Sequence, residues 1–404
     1  MEKTRKLVVL DDDPTGIQTV HDCLLITNWE EKEVRKAMLD DQPLFYILTN
    51  TRAMTQQEAS DTVRNAMEAV VRVNKELHYQ LYFISRSDSC LRGHFPLETN
   101  VMKEVLTENG MDVWPTVPFC PAFLEAGRVT IDGVHYMKEG DKLIPVSETE
   151  FARDNVFAYH TSRLKDYIAE KGANPADYQI VNASSYDDLY HFSKQLFEET
   201  SSFDGAVVIR SSSSLPKAMS GIGDKPLLDR TSLKCQEGVG CFIVGSHVNK
   251  TTLQLKQLLA TDGTQGVEVD VQRILCDEKT LKEHTLADIL HIAQQGMTPV
   301  VYTSRKEIRL EDATQRQHLG QQVSDFLVDL VHDLPFTPSY LVAKGGITSH
   351  DILTKGLMVK CARVMGQVVP SVPCVMTERF PYIIFPGNVG GEESLKEVFL
   401  KLRK

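Results

Sequence analysis

Three adjacent carboxylates, Asp11, Asp12 and Asp13, close the first apolar run of the chain, Lys6 to Leu10, and lead into Pro14, Thr15 and Gly16. Like charges at this spacing repel, so the cluster costs stability unless a cation or hydrogen-bond donors offset it. Such a turn offers a base or a metal ligand; the plain alternative is a solvated turn that uses Asp and Pro for their geometry. A second dense turn, Ser85 to His94, follows the apolar run Leu81 to Ile84. There Arg86 and Arg92 flank Ser87, Asp88 and Ser89, which puts guanidinium forks for a carboxylate beside hydroxyls and an acid that suit a polyol. Arg52, with Asn50 nearby, stands after the run Leu44 to Leu48. One arginine alone is an ordinary surface ion-pair partner; three on successive strand ends suit a small hydroxy acid. His94 has no second histidine at metal-ligand spacing, so a structural hydrogen bond is the better reading. The segment Phe119 to Tyr136, with Pro121, Glu125, Gly127, Arg128, Asp132, Gly133 and His135, reads equally as a substrate lid or a structural hairpin.

The back half carries three small polar turns after apolar runs: Gly245 to Thr252, Lys344 to Asp351 and Phe385 to Glu393. Glycine lets backbone N–H groups converge on an anion without a Cβ in the way, and a helix starting there adds its positive end. Nucleotide phosphates are the natural guests. Gly245, Lys250 and Thr251 approach a P-loop, but no glycine precedes the lysine and one residue is missing, so a P-loop is rejected. No GxGxxG fingerprint is present either. A single turn of this kind is an ordinary helix cap; three in one region favour a phosphate cradle.

The elements that must position these residues alternate. Lys6–Leu10, Leu44–Leu48, Leu81–Ile84, Gln179–Val181 and Ala206–Ile209 read as buried strands, and the stretch after Met54 reads as an amphipathic helix with Thr55 and Glu58 at capping-box spacing. Strand and helix in alternation predict a parallel α/β sheet. From Ser211 to Gly240 the pattern lapses into Ser, Gly and Pro, and this predicts a domain boundary that doubles as a hinge. The alternation then restarts with Cys241–Ser246.

The chain has 404 residues, 42% hydrophobic and 25% charged, the proportions of an ordinary globular protein. A net charge of −11 gives no general attraction to nucleic acid or anionic membranes, and neither is expected as a partner. The eight cysteines are scattered without a CxxC pair, which predicts reduced thiols. No signal-peptide or membrane-spanning run is seen, so a cytoplasmic location is expected. A homodimer is compatible with the sequence, which does not fix the oligomeric state.

Two readings of the first turn compete. Asp11, Asp13 and Thr15 satisfy the DxDxT pattern of haloacid-dehalogenase-like phosphatases, with Asp11 as nucleophile, but the later pair Asp187 and Asp188 stands where a helix begins. The whole chain instead resembles the four-carbon acid sugar kinase family. Its DD-x-TG, x-DS-x-LRG, GG-x-T/S and PGN-x-GG turns appear as DDDPTG, SDSCLRG, KGGITS and PGNVGG, in the family's order. The chain departs from the family at Pro14 and at Arg86 and Ser87. The resemblance implies two Rossmann-like α/β domains with mainly parallel sheets, an acid-sugar-binding domain (1–235) and a nucleotide-binding domain (236–404), with an active-site cleft between them. It implies ATP with Mg²⁺, and phosphoryl transfer to a terminal hydroxyl of threonate, erythronate or an oxo-tetronate. Asp12 is then the residue that orients or deprotonates the acceptor, and Arg52, Arg86, Ser87, Asp88 and Ser89 are acid-sugar contacts. Ser246, Gly345, Gly346, Ile347, Thr348, Gly387, Asn388, Gly390 and Gly391 are the matching ATP positions. The Mg²⁺ ligands are not identified.

Overall fold

The computed structural model describes residues 4–305 and 313–404. The chain divides into two compact units, Met1–Asp224 and Lys225–Lys404. The division expected at residue 235 therefore falls inside the second unit. Leu228 and Leu233 explain the difference, for both are buried in that unit's apolar core, and the Leu228 amide donates to the Gln367 carbonyl at 2.7 Å. The serine run before the division is no linker. Ser211 ends a strand, and a helix begins at Ser214.

The first unit contains strands β1 (Arg5–Asp11), β2 (Leu24–Ile26), β3 (Leu44–Leu48), β4 (Gln80–Arg86), β5 (Asp112–Val113), β6 (Val117–Cys120), β7 (Arg128–Ile131), β8 (Val134–Glu139), β9 (Lys142–Pro145), β10 (Tyr178–Ile180) and β11 (Gly205–Ser211). Its helices are α1 (Glu31–Met38), α2 (Gln56–Leu77), α3 (Leu97–Glu108), α4 (Leu164–Glu170), α5 (Tyr186–Glu199) and α6 (Ser214–Ser220). The main sheet is parallel, in the order β10-β6-β11-β4-β1-β3-β2. Its strands are continuous apolar runs because helices cover both faces; Val8, Phe45, Phe83 and Val208 are buried. Each such side chain contributes about 1.5–3 kcal/mol. Helix α2 starts where the capping box predicts, with the Glu58 amide donating to Thr55 Oγ1 at 3.3 Å and the Thr55 amide to Glu58 Oε2 at 2.9 Å. The Phe119–Tyr136 segment resolves as a hairpin, β7 and β8 turning at Asp132 and Gly133, which β9 extends to a small antiparallel sheet.

The second unit contains β12 (Cys241–Val244), β13 (Thr264–Val269), β14 (Thr298–Thr303), β15 (Leu341–Lys344), β16 (Cys361–Val369), β17 (Val372–Met376) and β18 (Pro381–Phe385), with helices α7 (Asn249–Leu259), α8 (Val271–Cys276), α9 (Glu278–Gln294), α10 (Ala313–His332), α11 (Gly346–Asp351) and α12 (Ser394–Leu402). Strands β13-β14-β12-β15-β18 run parallel, and β17 and β16 add an antiparallel edge. In each sheet the first strand lies inside the order, and the chain leaves it in both directions. β1 thus sits between β3 and β4, and β12 between β14 and β15. Such a reversal opens a crevice beyond the carboxyl ends of the strands, where ligands of open α/β sheets bind. The acid turn and the first two glycine turns all emerge there.

Candidate functional site

In the first unit the register does the positioning. Asp11 lies opposite Leu48 on β3 and Arg86 on β4, and Arg86 in turn opposite Ser211 on β11. Arg86 Nη1 therefore reaches Asp11 Oδ1 at 2.9 Å and lies 3.6 Å from Asp12 Oδ1, while its Nη2 donates to Ser213 Oγ at 3.0 Å. Arg52 grips Asp12 with both arms of its fork, Nε to Oδ2 at 3.1 Å and Nη2 to Oδ1 at 2.5 Å, and reaches Asp13 Oδ2 at 3.4 Å. Ser87 Oγ stands 2.5 Å from Asp12 Oδ2 and 2.8 Å from the Arg92 carbonyl, between which its single proton must choose. So the buried Asp12, Arg86 and Ser87 form one network with the half-buried Arg52. The repulsion among the three acids is offset by arginines.

The three carboxylates are held differently. Burial pushes the Asp11 carboxyl up to about 7 against the pull of Arg86, and its Oδ2 is buried without a partner. Asp13 is the most accessible; burial would raise it, but Arg52, Arg86 and the hydrogen bonds from Thr15 outweigh burial and hold it below the usual carboxylate range. Two glycines are required by close approach. A Cβ on Gly16 would sit 2.1 Å from Asp11 Oδ2; one on Gly93, at φ +131°, would sit 2.3 Å from Ser87 Oγ and 3.1 Å from Asp12 Oδ2.

Asp88 and Ser89 lie on the same turn but have other partners. Arg92 Nε donates to Asp88 Oδ2 at 2.7 Å. Burial would raise the Asp88 carboxyl, yet Arg52 and Arg92 keep it low. The Ser89 carbonyl accepts from His135 Nε2 at 2.8 Å, and His135 Nδ1 meets Thr130 Oγ1 at 2.9 Å. Burial lowers this imidazole to about 4, so it is neutral with its proton on Nε2. The hairpin thus braces the turn. His94 bonds the Met54 carbonyl at 3.0 Å.

Sequence reading missed a further pair. Arg210 Nη1 donates at 2.6 Å to both Glu98 Oε2 and Ser85 Oγ, and Glu98 Oε1 accepts from Thr51 Oγ1 at 2.6 Å. Arg210 also lines a small cavity with Asp88, Ser211 and Tyr167. As an arginine at the end of an apolar run it carried the same signal as Arg86. Glu98, inside α3, carried none.

In the second unit Val244, Lys344 and Phe385 are in register across β12, β15 and β18, so the three glycine turns leave the sheet side by side. Thr348 Oγ1 packs so closely on Gly245 that a Cβ there would lie 2.2 Å from it. Gly345 adopts φ +125°, and its amide donates to the Phe385 carbonyl at 2.9 Å. Gly346 opens α11, with Ile347 65% exposed at its start. Thr251 Oγ1 donates to Ser246 Oγ at 2.9 Å, and Lys250 Nζ to the Asn388 carbonyl at 3.1 Å. Gln254 Nε2 donates to the carbonyls of Val389 at 3.0 Å and Gly391 at 2.8 Å, and its buried Oε1 is unpartnered. Gly390, at φ +83°, packs on Ser394, whose Oγ accepts from the Gly391 amide at 2.9 Å. The structure thus brings together Ser246, Gly345, Thr348, Gly387 and Asn388, and adds Lys250, Thr251, Gln254, Arg305 and Lys344. Arg305 Nη1 donates to the Ser246 carbonyl at 2.7 Å.

The phosphatase reading is not supported. Asp11 is 0% exposed, paired with Arg86 and covered by Gly16, so no phosphorus can approach it. Asp188 is the partner of Ser185 in a capping box at the start of α5. Among the described residues, no group of three or more His, Cys, Asp or Glu could hold a metal ion, and no helix is long and apolar enough to cross a membrane. None of the eight cysteines is disulfide-bonded.

Residues 7–179 match the model of a sugar-binding N-terminal domain, and residues 241–395 that of a nucleotide-binding C-terminal domain. Among solved structures, a Salmonella typhimurium LT2 protein superposes with a TM-score of 0.69 at 17% identity, covering 98% of this chain and 98% of its own. A Haemophilus influenzae protein does so with a TM-score of 0.66 at 16% identity, covering 98% of this chain and 100% of its own. At such identities these two speak to the fold. No curated protein matches the chain. The two domain matches, in this order and on this doubled α/β fold, place the chain in the four-carbon acid sugar kinase family.

Proposed function

We propose that the protein is an ATP-dependent kinase that phosphorylates a terminal hydroxyl of a four-carbon sugar acid of the threonate, erythronate or oxo-tetronate type. The observation that carries this reading is the cradle of three adjacent glycine turns, two of them at the reversal point of the unit matched as nucleotide-binding, with cations beside it. Backbone amides and cations there suit a polyphosphate, and the acid-arginine turn of the unit matched as sugar-binding suits an acceptor rich in hydroxyls.

Phosphoryl transfer asks little covalent work of a protein; positioning and charge stabilisation dominate. The acceptor oxygen bonds to the γ-phosphorus, the bond from phosphorus to the β,γ-bridging oxygen breaks, ADP leaves, and the hydroxyl proton is released. Asp12 fits orientation of that hydroxyl better than a strong base, because the Arg52 fork and Ser87 already engage its oxygens. The forks of Arg52 and Arg86 are largely engaged by Asp12 and Asp11, so in this proposal they hold the acids in place and offer the substrate carboxylate their remaining edges. Mg²⁺ is best carried in on the nucleotide phosphates, since it keeps most of its waters and needs few protein ligands. The test is a coupled ADP-release screen over four-carbon sugar acids with ATP and Mg²⁺. One acid should give turnover well above the others. Release of ADP at the same rate with every acid and with none would sink the proposal.

A further inference from the structure

A buried ammonium is costly unless an acid stands against it. Lys344 has none among the described residues. Its side chain is 0% exposed, yet its Nζ donates to the carbonyls of Pro386 at 2.6 Å and Gly387 at 3.0 Å and lies 4.1 Å from the centroid of the Phe385 ring. Both carbonyls belong to the third glycine turn. With their oxygens drawn inward to Nζ, the turn is fixed from beneath. A neutral amine has two N–H groups, which these carbonyls occupy; a third appears only on protonation.

The surroundings oppose that protonation. Titratable groups on the elements packed around it are Cys241 on β12, His247 in the following turn, Lys250 and Lys256 on α7, His350 and Asp351 on α11, and Tyr382 on β18. Of the acids, Asp351 accepts from Ser324 Oγ at 2.5 Å and pairs with Lys355 at 3.0 Å, while Glu392 and Glu393, at the far end of the third turn, are exposed, Glu393 with Lys396 at 2.7 Å. Burial, reinforced by the charge of Lys250, lowers the Lys344 ammonium to about 7. An arriving polyphosphate would supply the missing counter-charge.

We propose that Lys344 is a proton-linked positioning residue of the nucleotide site: it fastens the Pro386–Gly387 turn from below and takes up one proton from the buffer when a polyphosphate settles on the glycine turns. This rests on the nucleotide-binding reading of the second unit. The experiment is calorimetric titration of the full chain with ATP and Mg²⁺ at about pH 7.5, in two buffers of different ionisation enthalpy. At that pH more than about half of the Lys344 amines are neutral, so more than about half a proton should be taken up per ATP. Lys344→Arg, always charged, should bind ATP with markedly less uptake, and the nucleotide's own titration cancels in that comparison. Lys344→Met should weaken ATP binding about tenfold, equivalent to one charge-assisted hydrogen bond. Equal uptake by wild type and Lys344→Arg, or none by wild type, would overturn the inference while leaving ADP release with a sugar acid intact. Absence of any ATP heat would overturn it together with the kinase reading. Wild type alone supplies the first readout, so a variant that fails to fold does not block the test.

Discussion

In the first unit the buried carboxylates at the strand ends and on the adjoining helix α3 each have an arginine against them: Asp11 with Arg86, Asp12 with Arg52, and Glu98 with Arg210, at 2.9, 2.5 and 2.6 Å. At the strand ends of the second unit Lys250, Lys344 and Arg305 instead donate to backbone carbonyls, with no acid beside them among the described residues. The same open α/β architecture therefore carries a self-neutralised site in one half and a positively biased one in the other. A self-neutralised network is already assembled and can orient a weakly charged polyol by hydrogen bonds. A positively biased cradle gains its counter-charge only from a guest, and a polyphosphate is the guest that brings most.

The largest test of this contrast is Asp12→Asn. It keeps shape but removes the charge that Arg52 and Ser87 surround, so kcat should fall about 100- to 10,000-fold, the usual worth of a positioned acid or base. ATP affinity, measured by calorimetry, should stay within about twofold. A loss of ATP affinity as large as the loss of kcat would break the division of labour between the halves.

A smaller effect separates the halves by pH. Asp11 has its folded pKa raised to about 7, so its protonated form is favoured by folding; its contribution is present below the unfolded value near 3.8 and is lost as pH rises towards 7. His135, lowered to about 4, runs the other way over nearly the same window, gaining stability as pH rises. The difference between wild type and Asp11→Asn isolates the first. Between pH 5 and 7 wild type should lose on the order of 2 kcal/mol relative to the variant, read from denaturant midpoints of the first unit's transition. Parallel pH profiles of the two proteins would show that Arg86 holds Asp11 ionised throughout. Lys344 makes the second unit differ in sign, since a lysine lowered to about 7 costs most below that pH and least towards 10.5.

Much of this was legible because it is local. The acid turn, the Ser85–His94 turn and the three glycine turns each interrupt an apolar run, and the Thr55–Glu58 capping box is written in four residues. What was not legible is long-range or depends on context. Composition cannot tell a linker from a strand end, so the serine run Ser211–Ser214 read as a boundary although Ser213 Oγ accepts from Arg86. Nor can it say whether an arginine faces a ligand or an acid of the chain. Arg52 and Asp12 are forty positions apart, and only the parallel register of β1 and β3 brings their turns together. Lys344 read as the first residue of a small polar turn; that it closes a strand and turns inward to carbonyls of a turn 42 positions on is a fact of packing alone.

The smallest effect distinguishes an amide cradle from a side-chain network. Gly345 sits at φ +125°, a conformation that costs a residue with a Cβ about 1–3 kcal/mol. An added Cβ would also stand 3.2 Å from Thr348 Oγ1 and 3.3 Å from Ser246 Cβ, tight but without backbone collision. Gly345→Ala should therefore fold, shift the turn slightly and raise the KM for ATP about tenfold, the equivalent of 1.4 kcal/mol. With the proposed donor site built on amides, this loss should appear although no polar side chain has been touched, and the acceptor KM should stay unchanged. If Thr348→Ala weakens ATP as much as Gly345→Ala does, the hydroxyl shares the work, and the contrast between a backbone cradle and a side-chain network narrows to one of degree.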